Sequence, residues 1–445
     1  MHIFPQLRKL ERKYEGSLAV VGVHSAKFIQ ERETDSLRRA VLRYGIEHPV
    51  VNDRDFEIWG QYAIRAWPTL MFIDPRGKVI GKHEGEFPLE PVDELIGRLV
   101  AEFGQKGLLD LRPLPVKLER DKEKDGALSF PGKVLADQKS GRLFIADSNH
   151  QKIVVATVDG HVLNVVGSGA QGLADGGFAA AQFNDPQGMA LDGERLYVAD
   201  TKNHAIREIN LREKNVTTLA GTGEQATMFH SGGPGRTTAM RSPWDITLHL
   251  GALYIAMAGF HQLWRLDLAT NETRPYAGSG REHIVDGPLA MAALAQPSGI
   301  TTDGKKLYFT DSETSSVRSA DLDPSGAVES IVGLDLFTFG DMDGVGDDVR
   351  LQHPIGICLM DSGLAVADTY NNKIKFISPA ERRASSLFGN NLPGHQDGEG
   401  RAAQFNEPGG VSAARGKLYI ADTNNHSVRV ADLESKLVTT LELRF

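Results

Sequence analysis

The feature that most constrains the fold is a motif that recurs six times after residue 128. Each copy is a short apolar segment that ends, in five of six cases, in aspartate, and successive copies lie 53, 57, 54, 57 and 54 residues apart. The copies begin at Leu143, Leu196, Leu253, Leu307, Leu364 and Leu418. A proline precedes each copy at a matching offset: Pro131, Pro186, Pro243, Pro297, Pro354 and Pro408. Two independent markers in register indicate a repeat architecture.

Each repeat contains about four short β patterns. In the second copy these are Gly188–Leu191, Leu196–Ala199, Ala205–Ile209 and Val216–Leu219. Four-stranded units that repeat radially are the blades of a β-propeller. Residues 129–445 are therefore predicted to form an all-β, six-bladed β-propeller, with Leu437 to Leu441 as the outer strand of the last blade.

Polar turns separate two strands of each blade. The segments Asp200 to His204, Asp368 to Asn372 and Asp422 to His426 hold Asp, Thr and Asn residues, which bond their own backbone and tighten turns. Together with the preceding Pro-x-Gly and apolar segments, these turns resemble the NHL repeat. The third copy departs from the pattern at Met257 to His261, so its turn must be built differently.

Residues 1–111 have another character. Helical patterns around Pro5 to Tyr14 and Pro91 to Phe103 alternate with apolar runs such as Leu18 to Val23, and Thr69–Ile73 with Lys78 to Gly81 predicts a β-hairpin. Alternating helices and strands predict an α/β domain. Residues 112–128, rich in proline and charge, are predicted to be a linker, with one edge strand at Pro115 to Leu118.

The segment from Tyr62 to Asp74, which includes Trp67-Pro68-Thr69, resembles the thioredoxin-like fold. The resemblance implies that the bond before Pro68 is cis and that Trp67, Pro68 and Thr69 form a substrate-docking edge. An exposed strand edge can pair with an extended peptide. The plain alternative is an ordinary loop that begins at an X-Pro bond.

The same resemblance implies a Cys-x-x-Cys motif five residues before Pro5, which would lie just upstream of Met1. We therefore expect no catalytic residue in this chain, whose one cysteine is Cys358. Three interpretations stay open: Met1 is an internal methionine, the first domain is truncated and degenerate, or another segment or subunit supplies the missing strand. The DNA sequence before Met1 would separate them.

A thioredoxin-like domain followed by NHL repeats resembles the fusion proteins of the NHL-repeat-containing family. The resemblance implies thiol–disulfide oxidoreduction or redox sensing, with the propeller binding a protein client or a small ligand. The alternative is a non-catalytic interaction scaffold built on the acidic propeller. A propeller enzyme with a central metal is a third hypothesis, although the histidines show no metal-ligand spacing.

The propeller loops contain recurring aspartates that are candidate binding residues. We expect Asp175, Asp286, Asp343 and Asp397 to occupy equivalent places on one rim, where carboxylates could bind Ca²⁺ or a cationic partner. Simple turn formation is the alternative. The Gly167 to Gly172 segment matches G-x-G-x-x-G, but a loop follows it, which argues against a dinucleotide site. No cofactor and no metal are predicted.

Charge and composition exclude several classes. Residues 1–112 carry 17 basic and 17 acidic residues, so the net charge of −9 resides in the remainder, which is a poor match for nucleic acid. No apolar run reaches the roughly 20 residues of a membrane span. With no signal peptide, a cytoplasmic location is predicted. Cys358 is predicted to lie buried in an innermost strand, and the oligomeric state is left open.

Overall fold

The computed structural model describes residues 3–112, 117–122 and 126–445. The chain forms two compact units, Met1–Lys124 and Asp125–Phe445. The predicted edge strand at Pro115 to Leu118 falls partly outside the described residues.

The described part of the first unit contains four α-helices, each in an amphipathic segment of the sequence. They are α1 (Phe4–Lys13), α2 (Thr34–Arg43), α3 (Glu57–Gln61) and α4 (Leu89–Gln105), with 3₁₀ helices at Gln30–Arg32 and Glu119–Lys122. Helix α1 buries Leu7 and Leu10 and holds a proline in its first turn, where no N–H is needed. These two leucines pack with Phe87, Val92 and Ile96 to form the core of the unit.

The strands of the first unit form two separate sheets. Strands β1 (Gly22–His24) and β2 (Val50–Asn52) are parallel, whereas β3 (Thr69–Ile73) and β4 (Val79–Glu84) form the predicted antiparallel hairpin. The apolar run that starts at Leu18 pairs only from Gly22 onward. Each sheet has two strands, so within the described residues β1 and β3 each pair along one edge only.

The second unit is a six-bladed β-propeller, as the repeat predicts. The innermost strands are β5 (Lys133–Ala136), β10 (Pro186–Asp192), β15 (Pro243–His249), β20 (Pro297–Thr302), β25 (Gly356–Met360) and β30 (Pro408–Ala414). The second strands are β6 (Arg142–Asp147), β11 (Arg195–Asp200), β16 (Ala252–Met257), β21 (Lys306–Asp311), β26 (Gly363–Asp368) and β31 (Lys417–Asp422). Cys358 lies in an innermost strand, as predicted, but the residue is partly exposed and not buried.

Two further strands complete each antiparallel blade. The third strands are β7 (Lys152–Thr157), β12 (Ala205–Asn210), β17 (Gln262–Asp267), β22 (Ser316–Asp321), β27 (Lys373–Ser378) and β32 (Ser427–Asp432). The fourth strands are β8 (Val162–Val166), β13 (Asn215–Ala220), β18 (Glu272–Ala277), β23 (Ala327–Val332), β28 (Arg383–Phe388) and β33 (Leu437–Thr440). A 3₁₀ turn joins the second and third strands of every blade.

Blades 2 to 6 carry a short fifth strand that the sequence patterns did not predict. These strands are β9 (Gly176–Gly177), β14 (Gly233–Pro234), β19 (Gly287–Pro288), β24 (Gly344–Val345) and β29 (Gly398–Glu399). In blade 1 the C-terminal residues take that place. The N–H of Val162 donates to the Arg444 carbonyl at 2.9 Å, and the N–H of Arg444 donates to the Gly160 carbonyl at 2.8 Å. The end of the chain therefore closes the ring.

In each blade, one polar side chain also accepts a hydrogen bond from a backbone N–H of the next blade. In blade 2 the Nδ1 atom of His204 accepts the N–H of Ser242 at 3.0 Å, and in blade 6 the Nδ1 atom of His426 accepts the N–H of Phe130 at 3.2 Å. His204 and His426 adopt left-handed backbone conformations that end the 3₁₀ turns. These repeat histidines are thus part of the ring closure.

Candidate functional sites

The sequence-predicted docking edge lies at the start of β3. The Trp67–Pro68 peptide bond is cis. The indole N–H of Trp67 donates to the Ser25 carbonyl at 2.8 Å, and the Thr69 hydroxyl donates to the Ala66 carbonyl at 2.7 Å. Trp67 is nevertheless 49% exposed, which leaves much of its ring available to a partner.

Trp67 packs against a cluster of two other aromatic side chains, Phe56 and Trp59. The rings of Trp59 and Trp67 lie 4.5 Å apart, and Phe56 packs edge-on against both. The start of α3 is fixed by Asp53, which accepts hydrogen bonds from the Ser25 hydroxyl at 2.7 Å and from the Trp59 N–H at 2.9 Å. Burial alone would raise the pKa of Asp53, but these hydrogen bonds lower it below its ordinary value.

The hydrogen-bond alternation of the hairpin shows which groups of β3 point outward. Gly85 donates its N–H to the Pro68 carbonyl, so Pro68 and Gly85 form a hydrogen-bonded pair. In an antiparallel ladder such pairs alternate with non-bonded ones. Thr69 and Met71 therefore direct their N–H and C=O groups away from β4, towards an edge that pairs with no strand among the described residues.

The four rim aspartates occupy equivalent places in blades 2, 4, 5 and 6, and each is held by the blade itself. Asp175 accepts hydrogen bonds from Arg207 at 2.9 Å and from the Thr218 hydroxyl at 2.8 Å. The same arrangement joins the other three carboxylates to a cation in the third strand and a hydroxyl in the fourth: Asp286 to Arg318 and Ser330, Asp343 to Lys375 and Ser386, and Asp397 to Arg429 and Thr440.

Each of these cations also bonds the aspartate that ends the second strand. Arg207 bridges Asp175 and Asp200, and its side chain is fully buried. The other cations bridge their blade's pair in the same way: Arg318 to Asp311, Lys375 to Asp368 and Arg429 to Asp422. The result is a carboxylate–cation–carboxylate ladder in four blades, which was not predicted from the sequence. The sequence pattern that marks each ladder is a basic residue seven positions after the turn aspartate.

The two carboxylates of each ladder differ in electrostatics. Burial raises the pKa of Asp200, Asp311 and Asp368 to about 6, against the opposing influence of the neighbouring cation. Partial burial also acts on Asp175 and Asp343, but hydrogen bonds and the adjacent cation outweigh it and lower their pKa values. Asp175 and Asp343 are thus ionised members of a structural ladder.

Blade 3 replaces the ladder with aromatic packing. Met257 and Trp264 stand where the four ladder blades have the turn aspartate and the cation, and both are fully buried. The rings of Phe260 and Trp264 stack at 5.5 Å, and His230 packs edge-on against Trp264 at 5.3 Å. The changed turn expected from the sequence is therefore part of a coordinated exchange of polar for apolar side chains.

The central channel is closed by an ion pair that the sequence did not reveal. The Lys133 ammonium lies 3.2 Å from an oxygen of Asp245 and donates to the carbonyls of Ser298 and Ile355 at 3.0 and 2.8 Å. Burial lowers the pKa of Lys133 and raises that of Asp245. The channel above the pair encloses about 310 Å³ and is bordered by Cys358.

The structure also bears on the cysteine, on metal-ligand groups and on membrane-spanning helices. Burial raises the pKa of the Cys358 thiol to about 12, which leaves it almost entirely protonated near neutral pH. Within the described residues, no group of three or more His, Cys, Asp or Glu side chains is arranged to hold a metal ion. None of the described helices combines the length and apolar character that crossing a bilayer requires.

An α/β unit followed by a closed six-bladed propeller defines the class of this protein. The family model for the NHL repeat matches residues 183–209 and 405–431, which lie in blades 2 and 6. Protein SUPPRESSOR OF QUENCHING 1, chloroplastic, of Arabidopsis thaliana is 42% identical over 467 residues, covering 100% of this chain and 44% of that protein. NHL repeat-containing protein 2 of Gallus gallus is 38% identical over 479 residues, covering 100% of this chain and 66% of that protein.

This chain belongs to the family of NHL-repeat-containing proteins. It spans less than half the length of the plant relative and about two thirds of the avian one. A third relative matches only part of the chain. The thiol-disulfide oxidoreductase ResA of Halalkalibacterium halodurans is 29% identical over 93 residues, which cover 21% of this chain and 50% of that protein.

Proposed function

We propose that the α/β unit is thioredoxin-like and that the protein takes part in thiol–disulfide exchange or redox sensing, with the propeller binding a partner. The observation that carries the proposal is the edge of β3 that pairs with no strand among the described residues and lies beside the half-exposed Trp67. The partial match to a thiol-disulfide oxidoreductase supports it. In this proposal Trp67, Pro68 and Thr69 dock the client.

Docking follows from the geometry of the strand edge. An extended client segment adds alongside β3 and exchanges hydrogen bonds with the outward N–H and C=O groups of Thr69 and Met71. Trp67 then covers part of the segment and excludes water from those bonds. The exchange reaction itself needs a reactive thiolate, and the pKa of Cys358, the one cysteine of this chain, is raised to about 12, so its thiol stays protonated. For this chain we therefore propose the docking step.

The second candidate is a non-catalytic scaffold, and the raised pKa of the single thiol favours it. Here the acidic propeller itself binds a protein client or a small ligand. The rim carboxylates Asp175, Asp286, Asp343 and Asp397 are the proposed charged contacts, since each side chain is between 32% and 50% exposed. Both candidates share the partner-binding propeller, and they differ in whether the β3 edge binds an extended peptide.

A binding experiment separates the two candidates. A fluorescein-labelled extended decapeptide that carries S-methylcysteine is titrated into the full chain and followed by anisotropy. We expect N-methylation of the alternate amides that face β3 to abolish binding, because those amides can no longer donate. N-methylation of the other set should leave binding unchanged. Equal binding of both methylated peptides, or no binding of the parent peptide, would contradict docking at β3.

A protein variant tests the same edge from the other side. Met71→Pro removes an outward N–H that the β3–β4 ladder does not use, and proline is tolerated at such edge positions. We expect at least a tenfold weaker peptide affinity for M71P. The control Met71→Leu keeps the N–H and should bind like the parent chain.

A further inference from the structure

A groove opens between blades 4 and 5, beside Asp286 of the blade 4 ladder, and shares no lining residue with the central channel. It encloses about 760 Å³ and is lined by Lys306, Tyr308, Ser319, Ile331, Pro379 and Arg382, among other residues. A volume of this size lies in the range of ligand pockets. It is larger than the space in the central channel.

The groove exists because blade 5 breaks the repeat at Pro379. In the other five blades the residue that follows the third strand is aliphatic and packs into the core between neighbouring blades. These residues are Val158, Leu211, Leu268, Leu322 and Leu433. Pro379 takes this position in blade 5 and lines the groove instead. The interface between blades 4 and 5 therefore lacks one apolar side chain that the others have.

The neighbouring interface, between blades 3 and 4, shows what fills this space elsewhere. There Tyr276 of the fourth strand packs edge-on against Tyr254 at 5.0 Å, and its hydroxyl donates to the Asp321 carbonyl at 2.6 Å. Arg265, opposite Tyr254 in the blade, adds a guanidinium group. The space is thus occupied by an aromatic ring and a cation.

Blade 4 carries smaller side chains at both of these positions. Ser319 stands opposite Tyr308 where blade 3 has Arg265 opposite Tyr254. Ile331 takes the strand position of Tyr276. Tyr308 itself is retained, so the surface against which an aromatic ring would pack is present while the ring is not.

The buried Ser319 hydroxyl and the acidic groups around the groove favour a ligand that carries hydrogen-bond donors. Ser319 is 3% exposed and lines the groove, and its hydroxyl makes no hydrogen bond to any residue that the structure describes. At the mouth, Lys306 and Arg382 are already paired, with Glu329 and Asp347. Asp286 also lines the groove, where Arg318 already pairs with its carboxylate. Lys306 has a second acidic partner, Asp321, so acidic groups still outnumber basic ones around the groove. A cationic group is therefore favoured there.

We propose that this groove binds a segment of a partner protein that inserts an aromatic side chain, flanked by a basic residue, against Tyr308 and Ser319. The inserted ring takes the place that Tyr276 fills at the preceding interface, and the basic residue takes that of Arg265. The site is independent of the β3 edge. Failure of either proposal therefore leaves the other standing.

The test uses labelled peptides and the full chain. Fluorescein-Gly-Arg-Tyr-Arg-Gly should bind, whereas Gly-Arg-Leu-Arg-Gly and Gly-Glu-Tyr-Glu-Gly should bind at least tenfold more weakly. Pro379→Leu restores the residue type of the other blades and fills the groove, so it should weaken the tyrosine peptide at least tenfold without lowering the melting temperature. Ser319→Arg should do the same, since blade 3 carries arginine at this position.

The matched control lies on the same loop. Glu381 pairs with Arg383 rather than lining the groove, so Glu381→Gln should change the affinity less than twofold. Binding that survives both P379L and S319R would overturn the proposal, as would no binding of the tyrosine peptide at millimolar concentration. Binding of N-acetyltyrosinamide without binding of the peptide would also overturn it, because the occupant would then be a small phenol and not a protein segment.

Discussion

The propeller closes its ring with its own residues, whereas the α/β unit has strand edges without a partner among the described residues. In the propeller the C-terminal residues complete blade 1, and a side chain of each blade clasps the next. In the α/β unit, β1 and β3 each leave one edge without a strand partner among the described residues. Open edges invite pairing with other chains. We therefore propose that the closed unit binds a partner where the repeat is broken and that the open unit binds one along a strand edge.

The largest expected effect comes from breaking a ladder inside the closed unit. Arg207→Met leaves Asp200 and Asp175 without their shared cation, and uncompensated buried charge costs about 3–5 kcal/mol. Urea unfolding of the full chain measures the loss. Arg212→Met, an exposed arginine of the same blade, is the control and should change the free energy of unfolding by less than about 0.5 kcal/mol. A loss below about 1 kcal/mol for R207M would mean that the ladder is not structural.

Removing the closing segment should have the next largest effect. Deletion of residues 441–445 withdraws Leu441 and Leu443 from the core between blades 6 and 1 and frees the edge of blade 1. Two partly buried leucines correspond to about 2–4 kcal/mol, measured by thermal or urea unfolding. Deleting Phe445 alone, which is 72% exposed, is the control. Equal stability of the two truncated chains would show that the ring closes without this segment.

The ladders also predict how stability depends on pH. The folded-state pKa values of Asp200, Asp311 and Asp368 are raised from 3.8 to about 6. A raised pKa contributes stability that is full below 3.8 and is lost as pH rises through about 6. We therefore expect each of the three aspartates to increase the free energy of unfolding on the order of 1 kcal/mol from pH 7 to pH 5. A decrease over that window would contradict the assigned shifts.

The outer carboxylates act in the opposite direction and over a different range. Asp175, Asp343 and Asp397 have lowered pKa values, so their contribution is lost only as pH falls below 3.8. Carbon-13 NMR of the aspartate carboxyl groups can follow both sets at once. A titration of Asp175 near pH 6 would show that the two ends of the ladder had been assigned the wrong way round.

The smallest effect concerns the thiol. Because the pKa of Cys358 is about 12, we expect its labelling by a thiol reagent at pH 8 to be at least about 100-fold slower than that of a free peptide thiol. The unfolded chain in urea is the control and should react at the free rate. Rapid labelling of the folded chain would mean that the inner strand of blade 5 opens to solvent.

The fold could be predicted from the sequence largely because it repeats. The recurring prolines and apolar segments gave six blades and placed Cys358 in an inner strand. The ladder was recoverable in principle from the basic residue at a fixed distance from each turn aspartate. In contrast, Lys133 and Asp245 are 112 residues apart and occur once each, so no local pattern links them.

The α/β unit was harder to predict because its strands are short and do not recur. The run from Leu18 was expected to be one strand, but only Gly22–His24 pairs with another strand. Pairing depends on a partner strand that lies elsewhere in the sequence, and hydrophobic pattern alone does not identify it. The groove between blades 4 and 5 was not predicted either, because it depends on two side chains of blade 4 that are smaller than those at the same positions in blade 3.

Hydrogen exchange at single amides of β3 measures whether its outer edge is open and binds a peptide. Leu70 and Phe72 point their N–H groups into the hairpin and should exchange slowly in the free chain, whereas Thr69 and Met71 should exchange rapidly. Adding the S-methylcysteine peptide should slow Thr69 and Met71 at least tenfold and leave Leu70 and Phe72 unchanged. Slow exchange of Thr69 and Met71 in the free chain, or no change on adding the peptide, would contradict an open docking edge.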